Sequence, residues 1–95
     1  MREKQVEQAL VKAVKAKGGI CPKFVSPGLA GVPDRLVLMP NGKLGFVEVK
    51  APGKKARVLQ LYRIKQLTAL GFKCFVLDEV EQIPTLIEKI GGDAR

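Results

Sequence analysis

Two carboxylates and a lysine stand at a spacing that could activate water. Asp34 lies in Gly31-Val32-Pro33-Asp34, and Glu48-Val49-Lys50 begins fourteen residues further on. Hard oxygen donors of this kind suit Mg²⁺ or Mn²⁺ better than Zn²⁺. A divalent ion on paired carboxylates lowers the pKa of bound water and polarises a phosphoryl oxygen. The chain has no histidine, which removes Ser-His and Cys-His nucleophile pairs and imidazole general-base chemistry. Its two cysteines, Cys21 and Cys74, are too few and too isolated for a disulfide framework or a thiolate zinc site. Cys74, inside the apolar run Phe72 to Leu77, reads as a small buried side chain.

The segment between the acids reads as one β-hairpin. Pro40-Asn41-Gly42 suits a three-residue loop, a type I turn followed by a left-handed glycine bulge. Met39 then faces Lys43, and counting back sets Asp34 opposite Glu48. Facing Cβ atoms on an antiparallel pair lie roughly 4.5–5.5 Å apart, where like charges repel. A cation between the carboxylates would turn that repulsion into binding.

The elements around the hairpin follow from pattern. Met1 to Lys17 reads as an amphipathic helix, with Val6, Ala9, Leu10, Ala13 and Val14 at helical spacing and Gly18-Gly19 ending it. Ile20 to Val25 reads as a short strand that Pro22 pushes to an edge, and Ser26 to Pro33 as a loop. Arg35 to Met39 and Leu44 to Lys50 are the hairpin strands. A basic loop, Ala51 to Lys55, leads to a helix from Val58 to Leu70 that stops at Gly71. Phe72 to Leu77 reads as a buried strand. A last helix spans Glu79 to Ile90, with Pro84 near its first turn or kinking it. The order is α-β-β-β-α-β-α, an α/β class with a mixed sheet. Ninety-five residues support a single domain, 1–95, with one core.

Three polar residues break the apolar pattern. Glu7 falls between Val14 and Val11, in the apolar arc of the first helix; it either reaches water at the edge of the arc or is compensated. Gln60 falls between Ile64 and Leu67, in the middle of the apolar stripe of the second. It either closes a hydrogen-bond network or reaches a ligand. Glu48 shares a strand face with Phe46 and Lys50 and could pair with that lysine or serve a metal.

Composition narrows the partner. Apolar residues make up 46% of the chain, aromatic ones only 5%, and the formal net charge is +8. A small domain this basic points to a polyanion, most often nucleic acid. The charged amino terminus carries no apolar signal region and no stretch could span a membrane, so an intracellular, cytoplasmic protein is expected.

Gly31-Val32-Pro33-Asp34-Arg35-Leu36, Phe46-Val47-Glu48-Val49-Lys50-Ala51-Pro52-Gly53 and then Gln60 together resemble the virus-type replication-repair nuclease (VRR-NUC) family of the PD-(D/E)XK superfamily. The resemblance covers nearly the whole chain. It implies a restriction-endonuclease-like αβββαβ core with a C-terminal helix, Mg²⁺ or Mn²⁺ as cofactor, and DNA as substrate. Asp34 and Glu48 would be metal ligands, joined by the backbone carbonyl of Val49. Lys50 would orient or activate the attacking water, Glu7 would be the first-helix acid that supports the metal, and Gln60 would stand beside the lysine. Lys23, Arg35, Lys54, Lys55 and Arg57 would contact flanking phosphates. No element that reads base sequence is visible, and Tyr62 is a lone candidate for stacking. DNA shape is then the expected determinant, with a Holliday-junction resolvase acting as a homodimer as the leading expectation. Leu29, Val80, Ile83 and Leu86 are candidates for its interface. A flap or nicking nuclease with the same site is the alternative among enzymes. A non-catalytic nucleic-acid-binding module is the alternative outside them.

Overall fold

The turn that sets the register of the acids is the three-residue loop Pro40–Gly42, joining β1 (Arg35–Met39) to β2 (Lys43–Val49) in a computed structural model that describes residues 1–91. Met39 faces Lys43 and Arg35 faces Val47, as the three-residue loop demands. The paired register ends there, with Asp34 directly before β1 and Glu48 directly after Val47 in β2. The turn itself departs from expectation: Asn41 and Gly42 both have positive φ, 68° and 74°. These are the φ signs of a type I′ turn, which match the right-handed twist of the strands, and asparagine tolerates them better than other side chains.

Around the hairpin the chain forms α1 (Glu3–Ala16), α2 (Val58–Ala69), β3 (Lys73–Leu77) and α3 (Ile83–Gly91). The sheet order is β1-β2-β3, with β3 parallel to β2 and α2 as the crossover between them. Side-chain alternation gives the sheet two unlike faces. Val37, Met39, Val47, Val49 and Leu77 meet Val6, Leu10 and Val14 of α1 and Ile83, Leu86, Ile87 and Ile90 of α3 in the aliphatic core. The opposite face carries Phe46, Glu48 and Lys50, with Phe24 and Phe72 packed on Phe46 at centroid distances of 5.7 and 5.6 Å.

The mixed α/β class and the order of helices hold, with three local corrections and, for Pro84, one of the two expected placements. The segment expected as a strand at Ile20 to Val25 contributes two isolated bridges, Ile20 to Leu38 and Lys23 to Arg35. Pro22 accepts from the Leu36 N–H at 3.0 Å but has no N–H to return, so no continuous ladder forms. β3 is not fully buried: Phe72 and Val76 are exposed, Cys74 is half-buried, and Leu77 alone is sealed. It is the outer strand, and α2 covers only part of its face. Pro84 sits in the first turn of α3, after a 3₁₀ turn at Val80–Gln82, and does not kink the helix. Ile83 and Leu86, expected as possible interface residues, are core at 4% exposure each, while Leu29 is exposed.

β2 carries a glycine where α3 crosses it. A methyl group on Gly45 would overlap Cδ1 and Cγ1 of Ile90, which is itself buried. Gly45→Ala is expected to destabilise the fold by about 1–3 kcal/mol through overpacking. Urea unfolding measures this, and an unchanged midpoint would mean that α3 shifts freely on the sheet.

Candidate active site

Glu48 is the side chain around which the site is built. It is 1% exposed, near the end of a strand, between two valines. Its Oε2 accepts from Gln60 Nε2 at 2.6 Å and lies 3.1 Å from Lys50 Nζ. Its Oε1 is buried with no hydrogen-bond partner. Burial and the charge of Asp34 push the Glu48 carboxyl above its ordinary range, against the pull of Lys50.

α2 positions the amide. The backbone N–H of Arg57, at the start of the helix, donates to Gln60 Oε1 at 2.8 Å. An oxygen facing that donor forces the amide nitrogen towards Glu48, so the orientation of Gln60 is fixed from both ends. Gln60 is the one residue of α2 that is buried, with Ile64 and Leu67 half-buried behind it.

Asp34 leads into β1 and is half-buried. Its Oδ2 accepts from the Val49 N–H at 3.1 Å, which ties the first acid to the residue between the second acid and the lysine. Asp34, Glu48, Val49, Lys50 and Gln60 therefore meet on one end of one sheet face.

Glu7 and Arg35 do something else. Arg35 Nε donates to Glu7 Oε2 at 2.8 Å, and Arg35 Nη1 donates to the Cys21 carbonyl at 2.7 Å. Arg35 faces Val47 across the hairpin, so it points to the face opposite Glu48 and clamps α1 to β1. Its expected phosphate contact is corrected: the guanidinium is committed within the fold. Cys21, buried beneath this clamp, has its thiol pushed up to about 11 by burial. Glu3, one helical turn before Glu7, is exposed and has the smallest of the influences on the Glu48 carboxyl. Lys23, Lys54, Lys55 and Arg57 are all exposed.

The oxygen donors suit a hard divalent ion. Among the described residues no group of three or more His, Cys, Asp or Glu is placed to hold a metal. Two carboxylates and a backbone carbonyl would leave half of an octahedron to water, and Mg²⁺ commonly keeps several waters. The unpartnered Glu48 Oε1 is the observation that fits: a buried anionic oxygen without a donor is costly unless a cation meets it.

No family model matches the chain. It is 55% identical over 78 residues, 82% of its length, to "Putative nuclease p44" of Acyrthosiphon pisum secondary endosymbiont phage 1, and covers 84% of that protein. A solved structure described as a VRR_NUC domain superposes with a TM-score of 0.83 at 32% identity, over 90% of this chain and 94% of that one. The hairpin, its crossover helix and the acid-acid-lysine face define a PD-(D/E)XK type of fold. The chain belongs to the VRR-NUC family.

A raised carboxyl pKa has a stability consequence. The protonated form of Glu48 is favoured in the folded state, so its contribution is fully present below the unfolded value and is lost as pH rises through the folded one. In EDTA, Glu48→Gln should gain stability relative to the parent as pH rises from about 4 to about 8. Urea midpoints at both ends of that range measure it, and an equal difference at both would mean that Glu48 is not strained by ionisation.

Proposed function

We propose that this chain is a metal-dependent endonuclease that hydrolyses DNA phosphodiester bonds at branched structures, a four-way junction foremost, as a homodimer. The observation that carries the reading is the buried Glu48 carboxylate, one oxygen held by Gln60 and Lys50 and the other without any donor. A pure binding module has no use for a sealed, strained acid, since phosphate binding needs basic groups alone.

Asp34, Glu48 and the carbonyl of Val49 would hold Mg²⁺ or Mn²⁺. When bound, the ion supplies a more acidic water and a counter-charge for the phosphoryl oxygen. The remaining work falls to side chains. Lys50, 3.1 Å from Glu48, is positioned to orient the attacking water and to offset the negative charge that grows on the phosphate. Water adds to phosphorus, one ester P–O bond breaks, and the departing sugar oxygen takes up a proton. Gln60 keeps Glu48 Oε2 occupied, so Oε1 is the oxygen that remains available. Glu7, the first-helix acid of the family resemblance, is paired with Arg35 and would support the metal only indirectly. Exposed Lys23, Lys54, Lys55 and Arg57 would take flanking phosphates. Among the described residues no helix is long and apolar enough to cross a membrane. A two-fold assembly suits a substrate that needs two related cuts.

Labelled four-way junction, flap and linear duplex should each be incubated with Mg²⁺, Mn²⁺ or EDTA. The junction should be cut preferentially, and only with metal. Lys50→Ala should bind the junction as the parent does and cleave it at least about 100-fold more slowly. Cleavage in EDTA would exclude the metal, equal cutting of all three substrates would exclude selectivity, and a monomer by light scattering at micromolar concentration would exclude the dimer.

A further inference from the structure

From Ala51 to Leu77 the chain contains no acid, and its basic residues there are Lys54, Lys55, Arg57, Arg63, Lys65 and Lys73. Lys73 is turned to α3, where its amine donates to the Lys89 carbonyl at 2.7 Å. The other five belong to α2 and the loop that leads into it from Lys50. On the outward side of α2, Val58, Leu61, Tyr62 and Lys65 recur at helical spacing. The three apolar members are 84%, 51% and 59% exposed. The Arg63 guanidinium lies 5.4 Å from the centroid of the Tyr62 ring, a cation–π contact that backs the ring without burying it. The opposite side of the same helix delivers Gln60 to Glu48.

An exposed apolar stripe needs an occupant, and its charge surroundings choose one. A second copy docked α2 against α2 would bring two sets of Arg57, Arg63 and Lys65 together with no carboxylate on either helix to pair them. A polyanion meets no such penalty. An intact duplex, however, keeps its bases stacked inside and offers the stripe nothing apolar. Unpaired or unstacked bases at a branch point offer both a π-face for Tyr62 and neighbouring phosphates for the basic residues.

We infer that the Val58–Leu61–Tyr62 stripe of α2 is the surface that recognises branching, by packing Leu61 and Tyr62 against unstacked bases while Lys54, Lys55, Arg57 and Lys65 hold the strands that flank them. This rests on the reading of the chain as a nuclease for branched DNA and names the part that discriminates. The discriminating surface and the reaction centre then lie on two sides of one helix, so a strand held outside is presented to the acids at a fixed offset.

The test uses the whole chain with Leu61→Ala/Tyr62→Ala and, separately, Tyr62→Phe. Both sites are exposed, and circular dichroism should show native helix content for each variant. In EDTA the double variant should lose roughly tenfold or more in affinity for a four-way junction and for single-stranded DNA. Its affinity for linear duplex should stay within about twofold of the parent. Tyr62→Phe should bind all three as the parent does. A 2-aminopurine base at the branch should be quenched by the parent and not by the double variant. Equal loss on every DNA, or no loss on any, overturns the assignment. So does a parent dimer that becomes a monomer in the double variant, which would make the stripe an interface between copies. If the parent fails to cleave DNA but the stripe still separates branched from linear DNA, the nuclease reading falls alone. If the parent cleaves and the double variant discriminates as before, the stripe inference falls alone.

Discussion

A carboxylate sealed inside a β-sheet face with one of its two oxygens unpartnered is the constraint on which the rest of this structure depends. Removing such a group from water costs several kcal/mol. Two protein groups offset part of that, Gln60 at 2.6 Å and Lys50 at 3.1 Å, and both act on the same oxygen. The surrounding architecture follows from this arrangement. β2 must be central so that Glu48 can be covered, α2 must start where Gln60 can reach it, and Arg57 must present its N–H so that the amide points the right way. A fold selected for stability alone would place an aliphatic residue at 48, as it does at 47 and 49.

The second layer of support lies on the other side of the sheet. Arg35 follows Asp34 directly and joins Glu7 of α1 to the carbonyl of Cys21 and to its own strand. The ion pair is only 15% and 21% exposed at its two side chains, so it is better insulated than a surface pair. Its effect is geometric: α1 is held against the start of β1, next to Asp34, so Glu7 acts on the sheet that carries the acids and not on the acids themselves.

The loop length made the pairing of Met39 with Lys43 legible in the sequence, because hairpin register depends on loop length and period two, and that register brings Asp34 to the Val49 end of β2. Gln60 was legible as an amide in an apolar stripe for the same reason. Glu7 and Arg35 were not, since an ion pair across 28 residues leaves no periodic trace, and a phosphate-binding arginine looks identical to a paired one. Pro22 gave a correct warning about its strand but not its extent, and the sheet edge there is reduced to two bridges. The exposure of β3 depended on how far α2 covers it, which no local pattern encodes.

The parallel pairing of β2 with β3 has a kinetic meaning. The hairpin can close through three residues, but β3 can join β2 only after the chain has travelled out through α2 and back. Loop-closure entropy makes that step slower than the hairpin. Gln60 lies in the first turn of the crossover helix, so Glu48 gains its amide partner only once α2 has packed on the hairpin. The hairpin by itself leaves its acids in water, and the orientation of the Glu48 carboxylate waits on the crossover.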